Sequence, residues 1–389
     1  MDELLFIRIK KNLNMRHFTC LVFAFLVSCT VAFAQNITLK GRIVDAETNQ
    51  PVEFANIGVV GTYMGTASDF DGNYILEIGE SFSNYKVQIS AVGYKVKEFT
   101  VDELYVLSGE PIKLFSQTYG LKQVDVKADS KRLYGIIKTA SNIIPDSYKK
   151  NYAAKVYFSQ NMDSKKIEAV INFSDVKGYG NRSLVSAFES RNFELNEVRS
   201  NFKVSPLKSG LIHADGILSY DIVRQRGNVL DIEFVDEYNL KLLEETVVDG
   251  DSVWVISYEL NDTDLAKTGD AYCKKYEGNI MIRQKDYSVV RNELTVVSNG
   301  FFHAGRDVFR ENVGEKEYQT TVVSYYRQTS DKKYALSKII YKGTGDDTKL
   351  NMEWIVYDFK PFKEGTSKSF YAAGESDADF WKRFSLPSE

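Results

Sequence analysis

The chain has 389 residues and a mass of 44.3 kDa, room for two domains with cores of their own. Its formal net charge of −4 argues against nucleic acid as a main partner. With 24 Tyr and 24 Phe, the aromatic share of 13% leans toward β structure and large wet surfaces.

The amino terminus carries Arg8, Lys10, Lys11 and Arg16, then an apolar run from Phe18 to Val27, then Ala32-Phe33-Ala34-Gln35. Basic region, short hydrophobic core and small residues at alternate positions form a secretory signal peptide over 1–34, cut between Ala34 and Gln35. The run falls short of the roughly twenty residues of a membrane-spanning helix, so no transmembrane span is expected in the mature chain. Met15 is an alternative start to Met1, because Met15-Arg16-His17 already supplies a basic region. Leu26-Val27-Ser28-Cys29 also fits a lipobox that would lipidate Cys29; against it, residues 30–34 stay apolar where a lipoprotein has a polar tether. Cys20 and Cys29 leave with the signal, so Cys273 stands alone and reads as a small buried strand residue.

From 35 to 116 short apolar segments alternate with turn residues, the pattern of a small β-sandwich. Ile37, Leu39 and Ile43 share one face of a strand, Ala55, Ile57 and Val59 a face of the next, and Tyr74, Leu76 and Ile78 a face of another. Asp71-Gly72 between strand-forming residues predicts a hairpin turn at positive φ. Further strands are expected near 96–101 and 111–115.

In order, Gly41-x-Ile43-x-Asp45, Pro51-Val52-x-x-Ala55, Gly65-Thr66-x-x-Asp69-x-Asp71-Gly72-x-Tyr74 and Gly93-Tyr94 resemble the carboxypeptidase-like regulatory domain, a transthyretin-like sandwich of exported Bacteroidota proteins. The resemblance implies a non-catalytic module that accompanies other domains. It also implies an address in the periplasm or at the outer-membrane periphery, with a lipoprotein anchored at Cys29 as the alternative.

Residues 117–150 read as a linker. Leu121 to Ala128 resembles the segment that, in outer-membrane receptors with the same first domain, leads toward the energy-coupling box and plug. A receptor barrel of roughly 22 strands would need far more chain than follows, so a linking strand is the simpler reading. Leu133, Ile136, Ile137, Ala140, Ile143 and Ile144 make one apolar helical stripe, with Asp129 or Ser130 as cap and Pro145 as stop. This helix and the strand from Ala153 to Gln160 resemble the second-domain entry of one group of Bacteroidota envelope proteins with this regulatory domain.

Residues 151–389 read as long alternating strands joined by tight turns at 249–251, 285–286 and 330–332, an antiparallel meander. The expected fold is mainly β: a sandwich, a linker helix, and a large curved sheet resembling a half-barrel. The helix at 133–144 and Phe380-Trp381-x-x-Phe384 are the available lids for its apolar face. The hairpin from Tyr276 to Val290, with Gly278 in it, is similar to the repeating unit of periplasmic lipoprotein carriers.

A metallocarboxypeptidase needs two histidines and a glutamate around zinc. The mature chain has His213 and His303 in separate segments, neither at ligand spacing with a glutamate. Ser147-x-x-Lys150 and Ser205-x-x-Lys208 fit S-x-x-K and Lys267-Thr268-Gly269 fits K-T-G, yet neither serine opens an apolar-periodic helix. Asp69-Phe70-Asp71-Gly72 starts like a calcium loop but lacks its later ligands. No catalytic residue, metal or cofactor is expected. The reading is a binding or accessory protein whose sandwich docks an envelope protein or outer-membrane complex and whose sheet holds a partner or an apolar ligand. Tyr325-Tyr326 and Phe301-Phe302 are natural contact residues for it. The alternative is a carboxylate-dependent hydrolase of peptide or glycan, assembled from acids on distant strands.

Overall fold

The computed structural model describes residues 36–60, 65–69, 71–91, 94–116, 126–180, 190–202, 216–299, 316–345, 348–362 and 379–384. The expected signal peptide, Cys29, Gly93, residues 117–125, Ser205, Lys208, His213, His303 and Phe301-Phe302 lie outside these residues.

The first seven strands are β1 (Asn36–Asp45), β2 (Asn56–Val59), β3 (Gly65–Ala67), β4 (Asn73–Gly79), β5 (Lys86–Ser90), β6 (Lys97–Thr100) and β7 (Pro111–Leu114). They form a three-stranded sheet β4-β1-β7 and a four-stranded sheet β3-β2-β5-β6. All three predicted apolar faces point into one core, where Leu39, Ile43, Ala55, Ile57, Val59, Tyr74, Leu76 and Ile78 are buried together. The pairing of β7 with β1 is parallel, so the chain between them must cross over, and its last leg is helix α1 (Val101–Val106), which carries it from β6 in the other sheet back to β7. Thr100 and Glu103 cap α1 reciprocally, so the apolar stretch after Lys97 breaks at Thr100 instead of continuing as strand.

Asp71-Gly72 does not close a hairpin. The flanking β3 and β4 belong to different sheets, and the turn carries the chain between them. Asp69 Oδ1 accepts the amides of Asp71 (3.0 Å) and Asn73 (2.7 Å), and Ile43 N donates to Gly72 O, which ties the turn to β1. Gly72 does have φ +78°, and a Cβ there would stand 2.4 Å from Ile43 O. The position thus needs glycine's conformation, but in a turn between two sheets and not in a hairpin.

Helix α2 (Val126–Ser147) buries Leu133, Ile136, Ile137, Ala140 and Ile144 as its stripe requires. It is longer than predicted at both ends. Asp129 and Ser130 lie inside it, and Pro145 sits in its last turn, where Tyr148 N still reaches Ile144 O at 3.1 Å.

The remaining strands are β8 (Tyr152–Met162), β9 (Lys165–Asp175), β10 (Arg191–Ser200), β11 (Tyr238–Val248), β12 (Asp251–Leu260), β13 (Cys273–Arg283), β14 (Val289–Ser298), β15 (Tyr318–Gln328), β16 (Tyr334–Thr344) and β17 (Lys349–Lys360). They make one antiparallel sheet in the order β10-β9-β8-β17-β16-β15-β14-β13-β12-β11. The sheet is open, with β10 and β11 at its edges. The predicted hairpins are present, and Asp249-Gly250 has the φ values of 52° and 80° that a two-residue turn of this kind needs. The meander is nevertheless interrupted. After β10 the chain crosses the sheet through the short helical turns 217–220, α3 (Ile222–Gln225), 228–230 and 235–237, and β17 returns to pair with β8.

That crossover and α2 cover the inner face, packing Leu218, Tyr220, Val223, Val229 and Leu230 against strand residues such as Phe158, Ile280, Tyr341 and Trp354. Tyr134 Oη of α2 donates to Tyr238 O on the edge strand β11 at 2.9 Å. Among the described residues there are two further short helices, α4 (Leu265–Thr268) and α5 (Phe380–Arg383). The second predicted lid, at Phe380–Phe384, lies on the other face. Its Phe384 ring meets Tyr157 and Tyr357, which alternate with the inward residues of β8 and β17.

Candidate functional site

The outer face of the large sheet presents three neighbouring areas. In the middle the sandwich docks. Phe54 and Ala67 pack on Val323 and Ile340, Tyr325 Oη donates to Phe54 O at 3.1 Å, and Lys342 pairs with Glu53 at 3.2 Å. The β11–β12 turn reaches the same junction, where a Cβ on Gly58 would be 2.5 Å from Asp249 Oδ1. Burial pushes the Asp249 carboxyl up, against the opposing pull of Arg283 and a hydrogen bond with Asn56.

As contact residues for a partner, Tyr325 and Tyr326 would have to be free to meet it. Adjacent strand residues point to opposite faces, so Tyr325 holds the sandwich while Tyr326 faces inward and donates to Asp221 Oδ1 at 3.0 Å. Both are engaged within the chain.

To one side, β11 to β14 line an open depression of about 380 Å3. Its walls are Asn239, Lys241, Leu243, Ser257, Glu259, Glu277, Asn279, Glu293 and Thr295, with Gly278 in the floor beside Tyr258. Glu277 is paired with Lys275 and Glu293 with Arg291, each at 2.7 Å. The floor has a specific construction. Tyr258 on β12 lies across Gly278 on β13, and its hydroxyl contacts Asn292 Oδ1 and Glu293 O on β14, both at 3.0 Å. A third strand is thereby tied to the first through the gap a glycine leaves. From below, Asn228 of the crossover donates to the same hydroxyl at 3.2 Å.

To the other side, Glu168 on β9 faces its cross-strand partner Arg199 on β10, which binds it through two nitrogens at 2.7 and 2.8 Å. Tyr157 Oη donates to the same carboxylate at 2.6 Å, and Lys166 stands 3.3 Å away. Burial works against the charge on Glu168, but these donors outweigh it and hold its carboxyl down at about 2.

On the inner face a buried polar network fastens the crossover. Asp175 accepts from the amides of Lys177 and Gly178 and from Arg224 Nε at 2.9 Å, with Arg191 Nε at 3.6 Å. Asp221 accepts from Tyr179 at 2.8 Å and from Tyr326. Burial disfavours ionisation of both acids. For Asp175 the Arg191 charge and the Arg224 bond overcome it and leave its carboxyl lowered, whereas for Asp221 burial prevails and its carboxyl is raised. The network is sealed from solvent, so its role is to hold the fold.

The motif residues of the sandwich are brought together as structural contacts. Tyr74 lies across Gly41, where a Cβ would be 2.7 Å from its ring. Asp45 Oδ1 caps the turn at Glu47 and Thr48, and the carboxylate also bonds Tyr94; the Thr48 amide contributes most to holding it low. Pro51 packs against Gly72, Ala55 is in the core, and Gly65 sits where a Cβ would be 2.9 Å from Ile57 O. Gly65 and Thr66 also border the crevice between sandwich and sheet. None of them lines the depression on β11–β14.

Lys267-Thr268-Gly269 forms the end of α4, and Lys267 is surrounded by Glu237, Asp262 and Asp264, an arrangement unlike a catalytic strand. Ser147 ends α2. Cys273 is buried, and burial first, then Asp270, pushes its thiol up to about 11, as expected of an inert packing residue. Among the described residues no group of three His, Cys, Asp or Glu side chains is arranged to hold a metal, and no helix is long and apolar enough to cross a membrane.

Residues 39–125 match the CarboxypepD_reg-like domain. Over 70 residues the chain is 43% identical to the TonB-dependent receptor SusC of Bacteroides thetaiotaomicron, and over 68 residues 37% identical to the TonB-dependent receptor P3 of Formosa agariphila. Each match covers 18% of this chain and 7% of the receptor, so the chain spans a small part of those relatives. Among solved structures, a DUF1329 family protein from Desulfovibrio piger aligns at 12% identity and TM-score 0.30, covering 61% of this chain and 94% of that one. A LolA superfamily protein from Nitrosomonas europaea aligns at 11% identity and TM-score 0.24, covering 59% and 93%.

Proposed function

Since residues 39–125 are a CarboxypepD_reg-like domain of the kind matched in TonB-dependent receptors, we propose that this chain is an exported, non-catalytic accessory protein of the cell envelope. It would act at the periplasmic side of the outer membrane or at its periphery. The sandwich serves as a docking module carried on the large sheet, and the depression over β11–β14 takes the partner.

The observation that carries this reading is the depression itself. Four successive strands offer it alternating polar side chains, and its glutamates outnumber its one lysine, Lys241. Such a surface suits an extended segment with basic and amide groups, held by many modest hydrogen bonds across an open trough. The described part of the inner face is filled by α2 and the crossover, so an apolar ligand there would require that cover to lift.

The hydrolase reading keeps one observation in its favour, that Glu259, Glu277 and Glu293 border a single depression. Against it, Glu277 and Glu293 are already engaged by cations, a setting for anchoring more than for proton transfer.

The two readings separate on one pair of variants. Glu277→Lys with Glu293→Lys should lower recovery of the cross-linked envelope partner at least about tenfold, the loss expected when like charges face across an interface. Recovery equal to wild type would remove the depression from the binding account. Turnover of a peptide or glycan library by the wild-type protein, lost in Glu277→Gln or Glu293→Gln, would establish the hydrolase instead.

A further inference from the structure

The junction between sandwich and large sheet is narrow, and an ionisable group is built into it. Its apolar part is Phe54 and Ala67 against Val323 and Ile340, and the Glu53–Lys342 pair beside them is partly open to solvent, with side chains 35% and 33% exposed. Asp249, at the tip of the β11–β12 hairpin, is set into the sandwich instead. Its Oδ1 occupies the space over Gly58 that any other residue's Cβ would fill, and Asn56 on the same strand donates to it. Only a glycine leaves this slot open.

The slot suits the acid better than its anion. Gln88 stands opposite Gly58 in the strand register, which puts its side chain on the same face within about 5 Å of the slot. Its carbonyl oxygen is buried with no hydrogen-bond partner. Protonated, Asp249 brings a donor to a face that has an acceptor to spare; ionised, it adds a buried charge and a second acceptor. Arg283 favours the charged form but is itself paired with Asp251, whose own charge opposes it. Of the other nearby cations, Lys285 turns to Asp251, Arg291 to Glu293 and, on the sandwich, Lys86 to Glu98. Arg327 lies over the Phe359 ring, which leaves Lys338, and burial still prevails at Asp249. Arg327, Lys338 and Asp249 all border the crevice between sandwich and sheet, an opening of about 70 Å3 through which a proton can exchange with water while the sandwich stays docked.

We propose that this junction is a proton-dependent latch: neutral Asp249 in the Gly58 slot locks the sandwich onto the large sheet, and its ionisation frees the sandwich and uncovers Val323 and Ile340. Because the carboxyl is raised in the docked state, its contribution to docking is full below the ordinary carboxylate range and is lost as pH rises through the docked value. The Glu53–Lys342 pair acts in the other direction, since acid can only weaken it. The latch does not depend on what the depression over β11–β14 binds.

The test uses the full mature chain with a dye pair at Ser108→Cys in the sandwich and Ser164→Cys between β8 and β9, both exposed positions, while the native Cys273 is buried. Energy transfer is read against urea from about pH 4 to about pH 8. Transfer should be lost at a lower urea concentration than far-UV ellipticity, and its midpoint should fall as pH rises. Asp249→Asn keeps the shape of the side chain and tolerates the left-handed φ of 52° at this position, so its midpoint should stay high across the range. Gly58→Ala displaces the carboxyl from its slot and should lose the pH dependence as well. Transfer and ellipticity lost together at every pH would mean that the sandwich does not come away as a unit, and would overturn the latch. An equal fall in Asp249→Asn would assign the titration to another group and overturn the role of Asp249. A wild-type midpoint that falls toward acid would give control of docking to Glu53 and Lys342 and reverse the proposal, and one that does not move with pH would remove it.

Discussion

Replacing Gly278 with alanine is expected to destabilise the large sheet by about 3 kcal/mol, the upper part of the usual range for forced overpacking. A Cβ at this position would stand 2.0 Å from Glu293 O and 2.4 Å from the Tyr258 hydroxyl. The first contact is to backbone, which has no rotamer to escape into, and the second displaces the group that links β12 to β14. Asn228 then loses the hydroxyl it donates to, so the crossover loosens with the strand. Thermal denaturation should show a midpoint lowered by at least about 5 °C. Tyr258→Phe alone removes the hydroxyl and leaves the backbone clash absent, so it should cost clearly less. A Gly278→Ala protein that melts with wild type would mean that Tyr258 does not cross β13 there.

The second large effect is expected at Asp175. Asp175→Asn keeps the shape of the side chain but removes the charge between Arg191 and Arg224, both nearly fully buried. Breaking a buried ion pair from one side costs about 3–5 kcal/mol, because the remaining charges stay unsolvated. The pH dependence has a definite sign. Asp175 is held below its ordinary value in the folded state, so its contribution is present above the unfolded carboxylate pKa and fades as pH falls through the folded one. The stability gap between wild type and Asp175→Asn should therefore narrow in acid. Asp221 works in the opposite sense, since its raised carboxyl favours the folded state when protonated. A gap that stays constant to the acid limit would show that the arginines do not depend on Asp175.

These two positions also mark where sequence reading reached its limit. Period-two alternation placed Leu39, Ile43, Ile57 and Leu76 in a sandwich core, and positive-φ turns such as Asp249-Gly250 placed the hairpins, because both signals are local. Asp175 and Arg224 are 49 positions apart, and nothing in either neighbourhood marks them as partners. Gly278 falls within a hairpin legible from sequence, but the reason for a glycine lies on the strands to either side of it. The same holds for Gly72, whose need for positive φ was legible while the sheet change it serves was not. The depression is hidden in the sequence for another reason. Lys241, Glu259, Glu277 and Glu293 sit at alternate strand positions and read as an ordinary solvated face until the strand order sets them side by side. Tyrosine-rich strands suggested wet surfaces, yet Tyr148, Tyr179, Tyr258 and Tyr341 are fully buried, their hydroxyls spent on internal bonds.

The central claim is that the outer face over β11–β14 meets the partner, and a photo-crosslinking residue at Asn279 tests it most directly. Asn279 borders the depression, and Lys332, exposed at the tip of the β15–β16 hairpin, is the matched control. In the native host, irradiation should give one discrete adduct from position 279 and none from position 332. An adduct from 332 alone, or none from 279 while the protein is abundant and folded, would contradict the account.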